Sequence, residues 1–198
     1  DVIVGIKVRA SHDVGGANTS EALHRARRVA DQVGLPLMVH LGPSPAPIDE
    51  IAELLRAGDI LTHCFTGWDG NQVIVDGTIR RSVREARERG VLIDVGHGAS
   101  GFSAVVAKSM IEQGALPDSI STDLHAYSKK LVVNFPSVLA KLVALGMTTE
   151  QVFTRATLAP ARAVGLDVEG VGTLHAGVTA DVAVFQVTDQ QTEFLDGF

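Results

Sequence analysis

The chain is poor in cysteine: Cys64 is the only one in 198 residues. One thiol excludes an intrachain disulfide framework and a thiolate zinc finger, and it fits a reducing, cytoplasmic setting. Aromatic residues are also scarce, at 5 % with one Trp and one Tyr. A basic excess is missing, since 17 Lys and Arg face 23 Asp and Glu for a net charge of -6. That balance excludes a uniform basic face for nucleic acid. No apolar run approaches the roughly 18 residues that span a bilayer, so no membrane partner is expected. No signal-peptide pattern is visible. Low-complexity tracts and repeats are absent too. What is abundant is apolar content, 45 % of residues, together with 20 glycines. That excludes disorder at so modest a net charge. The length suits one domain, or a large piece of a bigger one, with enough chain to bury a core. The chain opens on Asp1 and runs straight into Val2-Ile3-Val4, which reads as an excised or processed fragment starting inside a strand.

A strand-then-helix rhythm follows. Short β-branched or apolar runs predict strands at Val2–Val8, Leu35–Leu41, Asp59–Thr62, Val91–Val95 and Ser119–Leu124. Between them, apolar spacing and glycine stops predict helices from an Asn18 cap to Gly34, then at Ile48–Ala57, Ile79–Arg89 and Phe102–Gln113. Further helices are predicted at Pro136–Leu145, Thr149–Thr157 and around Pro160–Val164, and Thr66–Gly77 reads as a long loop. Repeated strand–helix units imply parallel strands buried on both faces, as in a barrel or doubly wound sheet. Val168–Leu174 and Ala180–Val187 read instead as strands of a small separate β element.

The polar residues fall where such a fold builds active sites. Lys7, His40, His63, His97 and Asp123 stand in or just beyond the five predicted strands. The carboxyl ends of parallel strands share one rim, so five groups aim at one place. Alone, each has a bland reading: a hydrogen-bonded structural histidine, a solvated lysine, an aspartate capping a helix. The repetition in consecutive units favours a metal centre for His40, His63 and Asp123 jointly, with imidazole and carboxylate suited to Zn, or to Mn, Fe or Co. A lysine buried inside Ile6-Lys7-Val8 needs a partner, and as an ammonium Lys7 cannot ligate a cation; it must first be deprotonated or modified. His12 and His125 stand beyond strand ends as second contacts or surface residues. Trp68 and Tyr127 sit in loops over the expected mouth, and Asp94 is placed to orient a histidine or to make a structural hydrogen bond. His24, among Arg25, Arg27 and Arg28, reads as solvated; His175 reads as structural; Cys64 reads as a packed thiol. The run Arg80, Arg81, Arg84, Arg87 and Arg89 alternates with acids and reads as a solvated helix.

The segments Gly5-Ile6-Lys7-Val8-Arg9, Met38-Val39-His40, Leu61-Thr62-His63-Cys64-Phe65, Asp94-Val95-Gly96-His97-Gly98 and Ser121-Thr122-Asp123-Leu124-His125, in that order, resemble the amidohydrolase superfamily of metal-dependent hydrolases. The likeness is to the amidohydrolase/deacetylase branch related to dihydroorotases, and it runs through the tail Gly172–Phe185. It implies a (β/α)8 TIM barrel, of which strands four to eight would lie in 1–167, with 168–198 a returning β-sandwich segment. It also implies two divalent metal ions, most simply Zn. Lys7, as N6-carboxylysine, would bridge them. His40 and His63 would hold the second metal, and Asp123 would bind the first and shuttle protons. His97 would contact substrate or stabilise an oxyanion, with Arg9 and His125 as further substrate contacts; a structural salt bridge is an equal reading for Arg9. The chemistry implied is attack of a metal-bridged hydroxide on the amide or ester carbonyl of a small acylated substrate.

The family's first strand supplies a His-x-His pair, and none occurs in this sequence. Strands one to three are therefore expected before Asp1, as a partner segment that completes the first metal site. Half a barrel alone would be a poor enzyme with exposed strand edges. A homo-oligomer is compatible with this reading. Two others remain beside it: a cyclic amidase of dihydroorotase type, and a catalytically silent relative acting as an assembly partner. A nicotinamide-binding sheet is remote, since no Gly-x-Gly-x-x-Gly follows any strand.

Overall fold

A computed structural model describes residues 3–189 and 191–198. Four parallel strands form the sheet: β1 (Ile6–Ala10), β2 (Leu37–Leu41), β3 (Ile60–Thr62) and, further along the chain, β6 (Leu92–Asp94). Their spatial order is the order in which they occur, and an isolated parallel bridge from Asp94 to Ser119 extends the sheet by one position. A parallel sheet that always adds its next strand on the same side, with a helical crossover each time, is the winding of a barrel. Between β3 and β6 lies a two-stranded antiparallel ribbon, β4 (Ile74–Val75) and β5 (Thr78–Ile79). It falls partly within the stretch read as loop. Its turn, Asp76-Gly77, has both residues at positive φ (50° and 72°), the requirement of a tight hairpin.

The first strand starts later than the sequence suggests. Val2 lies outside the described residues, and pairing runs from Ile6↔Leu37 to Ala10↔Leu41. Pro36, which has no N–H to give, only accepts from the Ile6 N–H at 2.9 Å, so the ladder begins beyond it on both strands. The predicted strand Ser119–Leu124 is reduced to the Ser119 bridge, although His97 and Gly98 N–H groups still donate to Ser121 and Thr122 carbonyls.

The helices are α1 (His12–Gly15), α2 (Thr19–Val33), α3 (Ile48–Leu54), α4 (Arg81–Glu88), α5 (Ala104–Glu112), α6 (Lys129–Val132), α7 (Phe135–Ala144), α8 (Thr149–Ala156) and α9 (Leu158–Ala163). In α2, Leu23, Arg27 and Ala30 face inward, and Gly34 ends the helix at φ 68°. Asn18 makes no side-chain cap, because it closes a preceding 3-10 turn with a non-extended backbone. Helix α3 stops at Leu54, before the expected Ala57, where the Arg56 N–H turns to the Asp59 carboxylate at 2.8 Å. Asp59 also accepts from the Leu37 N–H (2.7 Å) and pairs with Arg27, tying α2 and β2 together beneath the sheet. Asn134 caps α7 from the Ser137 N–H at 2.9 Å, and Thr148 with Gln151 forms a reciprocal capping box on α8.

The core is aliphatic. Leu37, Val39, Leu61, Ile93, Leu23, Ile51 and Met110 are buried, joined by Phe65 and Phe102. Asp94, 2 % exposed, sits inside it and accepts from three hydroxyls: Thr62 (2.6 Å), Ser119 (2.6 Å) and Ser121 (2.7 Å). A buried carboxylate is tolerable only when so saturated. It orients no histidine directly; instead it binds the last residue of β3 to β6 and to the next chain segment.

The two strands expected at 168–174 and 180–187 do not form among the described residues. Asp167–Glu169 is a 3-10 turn, and no strand follows it. A strand needs a paired neighbour to satisfy its backbone, and here Val182, Val184 and Val187 are exposed without one.

Candidate active site

Lys7 and Arg9 stand two residues apart on β1 and so share a face. In register, Arg9 lies opposite His40 on β2. His63 is the residue after β3, and Asp123 follows the stretch bridged at Ser119. The carboxyl ends of the strands thus do share one rim. Lys7, Arg9, His40, His63, Asp123 and His125 all line one cavity of about 800 Å³. Trp68 and Tyr127 also line it, as does His12.

The two imidazoles meet edge to face, with ring centroids 4.2 Å apart. His63 is 3 % exposed. Its Nδ1 lies 2.5 Å from the Gly96 carbonyl oxygen, which fixes the proton on Nδ1. The opposite nitrogen, Nε2, is buried and has no hydrogen-bond partner. A buried bare lone pair is costly unless something fills it. Burial lowers the His63 pKa, and burial first, then the neighbouring His63, Arg9 and Lys7, draws His40 down to about 3. Both rings are neutral at pH 7, the form that ligates a metal.

Glycines shape this pocket. A Cβ on Gly101 would lie 2.5 Å from His63 Nδ1, and one on Gly42 would lie 3.1 Å from His40 Nε2. At Gly98 it would meet Asp123 Oδ2 at 2.8 Å. His63 (φ 67°) and Asp123 (φ 43°) themselves hold left-handed backbone, which non-glycine residues adopt at a cost and typically where function demands it. Sequence reasoning missed this cradle, although Gly42 beyond His40 and the Gly96-His97-Gly98 run were its visible signs.

Asp123 is open to the cavity, and its Oδ2 lies 3.9 Å from His125 Nε2. Arg9 is engaged structurally: its Nε donates to Ser11 Oγ (3.0 Å) and its Nη2 pairs with Asp13 (2.9 Å). Lys7 is exposed in this chain and lines the cavity.

His97 is placed elsewhere. It does not line the cavity and is wholly buried, stacked on Phe102 at 4.6 Å. Its Nε2 accepts from Lys141 Nζ at 2.8 Å, and burial draws its pKa down to about 4. Among the described residues the ring thus stands behind the cavity wall, where the sequence led us to expect a substrate contact. Lys141 itself was missed. It is the one charged residue among the inward positions of α7, beside Val138, Leu139 and Leu142, and that break in an apolar stripe was its signal.

The donor chemistry fits a divalent cation: a buried orphan nitrogen, a second neutral imidazole in contact with it, and a carboxylate and a lysine on the same cavity. It falls short in number, since no three His, Cys, Asp or Glu groups converge as a complete cage among the described residues. No helix there is long and apolar enough to cross a membrane.

The chain resembles known proteins over nearly its whole length. It is 38 % identical to a deacetylase of Brucella anthropi over 98 % of this chain and 48 % of that protein. It is 33 % identical to a deacetylase of Enterococcus faecalis over 99 % and 54 %. The chain thus spans about half the length of the curated relatives it matches. Among solved structures, an adenine deaminase superposes with a TM-score of 0.93 at 32 % identity, over 98 % of this chain and 54 % of that one. A dihydroorotase superposes at 0.78 and 38 % identity, over 86 % and 46 %. The parallel α/β architecture is accordingly a portion of the (β/α)8 barrel of these proteins. The amidohydrolase family profile matches residues 4–196, and the chain belongs to the amidohydrolase family.

Proposed function

We propose that the protein of which this chain forms a part is a metal-dependent hydrolase that cleaves the amide, or ester, bond of a small acylated substrate, in the manner of a deacetylase. The observation that carries this reading is the buried, unpartnered Nε2 of His63, aimed from a ring whose other nitrogen is already fixed and in contact with His40. The deacetylase names of the relatives support the substrate class.

His63, His40 and Lys7 would hold one cation, with Lys7 as a carbamate that turns an ammonium into an anionic oxygen donor; Asp123 and Lys7 would serve a second. The metal would be Zn, or another ion that takes nitrogen and oxygen donors. When bound, it supplies Lewis acidity at neutral pH. Asp123 projects an exposed carboxylate into the cavity, and it would accept a proton and return it to the leaving nitrogen or oxygen. His125, 3.9 Å from Asp123, orients that carboxylate or contacts substrate. Arg9 keeps donors free beyond Ser11 and Asp13 and presents positive charge to an acidic acyl substrate. His97 stays behind the wall. The remaining ligands would come from a segment carrying a His-x-His pair.

Replacing Asp123 with Ala tests this. Turnover of N-acyl amino acids by the intact protein should fall at least about 100-fold while its urea midpoint holds. Unchanged turnover would reject Asp123 as the proton carrier. A cyclic amidase uses the same residues, and the dihydroorotase likeness favours it as the second reading; opening of a cyclic imide or ureide, with no cleavage of N-acyl amino acids, would select it.

A further inference from the structure

Far from the cavity along the chain, residues 195–198 cross the back of the loop that follows β6. The Asp196 carboxylate accepts from the Ala104 N–H at 2.6 Å and so caps α5 from 92 residues away. Ser103, which occupies the cap position, makes no side-chain cap bond. The Gly197 N–H donates to the Phe102 carbonyl at 3.3 Å, and a Cβ at Gly197 would run into the Ala99 carbonyl oxygen. The Phe198 ring stands edge-on to Trp68, with centroids 5.9 Å apart, and covers Gly67. The Leu195 carbonyl accepts from Lys141 Nζ at 2.7 Å.

Lys141 spends its remaining donors on the Leu131 carbonyl (2.6 Å) and His97 Nε2 (2.8 Å). It is 4 % exposed, so the ammonium is matched donor for acceptor across three separate stretches of chain. The loop it grips through His97 is the one that faces the site. Gly96 fixes the His63 ring, Gly101 packs on that ring, and Gly98 packs on the Asp123 carboxylate. Neither Lys141, Asp196 nor Gly197 lines the cavity.

We propose that Lys141 and residues 195–198 form a positioning strap, which clamps the loop 96–102 in the shape that aims His63 and supports Asp123. The strap is defined by contacts within this chain; only its consequence for metal binding rests on the function proposed above.

The test uses the intact protein and two variants, Gly197→Ala and Lys141→Met. Hydrogen exchange is followed at the amides of residues 97–104 in metal-free protein, and zinc affinity is measured by chelator competition. Loss of a helix cap corresponds to an opening equilibrium shifted by about five- to thirtyfold. Gly197→Ala should raise exchange in 97–104 by about that factor, leave β1 and β2 amides at wild-type rates, and weaken zinc binding about tenfold or more. Unchanged exchange at 97–104 in Gly197→Ala would overturn the strap. So would faster exchange with zinc affinity kept at the wild-type value. If Lys141→Met does not fold, Gly197→Ala decides alone, since it removes no buried charge. A wild-type protein that binds no zinc would defeat the metal-site reading, and exchange would still decide the strap.

Discussion

Gly101→Ala is the sharpest perturbation of the cradle around His63. Gly101 is not at positive φ, so alanine there meets no conformational penalty of its own and acts only through space. Its Cβ would stand 2.5 Å from His63 Nδ1 and 2.5 Å from the Gly96 carbonyl oxygen, and 3.1 Å from the His97 carbonyl oxygen. Two of those atoms are backbone, and the third belongs to a ring enclosed by its neighbours. Something must move by the better part of an ångström. The loop is the softer side, because residue 101 is only half-buried whereas His63 is wedged beneath it. Overpacking of this kind costs about 1–3 kcal/mol. The same displacement draws Gly96 away from Nδ1 and frees the tautomer that leaves Nε2 bare. Loss of such a supporting hydrogen bond behind a metal-binding histidine typically lowers affinity by about 10–100-fold. Zinc competition against a chromophoric chelator at neutral pH reads the affinity, and urea unfolding of metal-free protein reads the stability. The expected result is a loss in both, with m unchanged. Affinity within about twofold of wild type would refute the inference that Gly96 and Gly101 set the His63 ring.

Acidity should weaken the metal-free protein. His40 and His97 are held at about 3 and about 4, below the ordinary value of 6.5, by burial above all. Between those values and 6.5 the unfolded chain binds protons that the folded chain does not. The stability these rings contribute is full above 6.5 and is lost as pH falls through about 4 for His97 and about 3 for His40. Urea midpoints should drop steadily across that window, and a midpoint that stayed flat or rose on acidification would contradict the burial argument. Lys7→Ala should lower metal content without unfolding the protein, since Lys7 lines the cavity and makes no contact in the core, and short carboxylic acids should restore part of it. Full retention of metal in that variant would count against a carbamate at Lys7.

The strand-end donors were legible because parallel strands with period-2 side chains fix both a face and an edge. Lys7, Arg9 and His40 stand on paired strands and His63 is the residue after β3, whereas Asp123 lies beyond a stretch that pairs at Ser119 alone. Helices α2, α4, α5, α7 and α8 were legible from apolar spacing and glycine stops. What the sequence hid depends on long-range contact. His97 carries the same strand-end signature as His63, yet Gly96 and Gly98 at positive φ turn it under the loop toward Lys141, 44 residues on. The stretch 168–198 has strand-like composition, but a strand exists only when paired, and no neighbour for it lies among the described residues. The Asp196 cap lies 92 residues from its helix and leaves no local trace.

His40, His63 and Lys7 are proposed to form a cation site on the strand rim. Zinc content of the intact protein and of its His63→Asn variant, measured after exhaustive dialysis, tests it most directly. The parent protein should hold about two equivalents per protomer, and the variant at least about one fewer, with the fold retained. Less than about half an equivalent in the parent protein, or equal content in both, would contradict it.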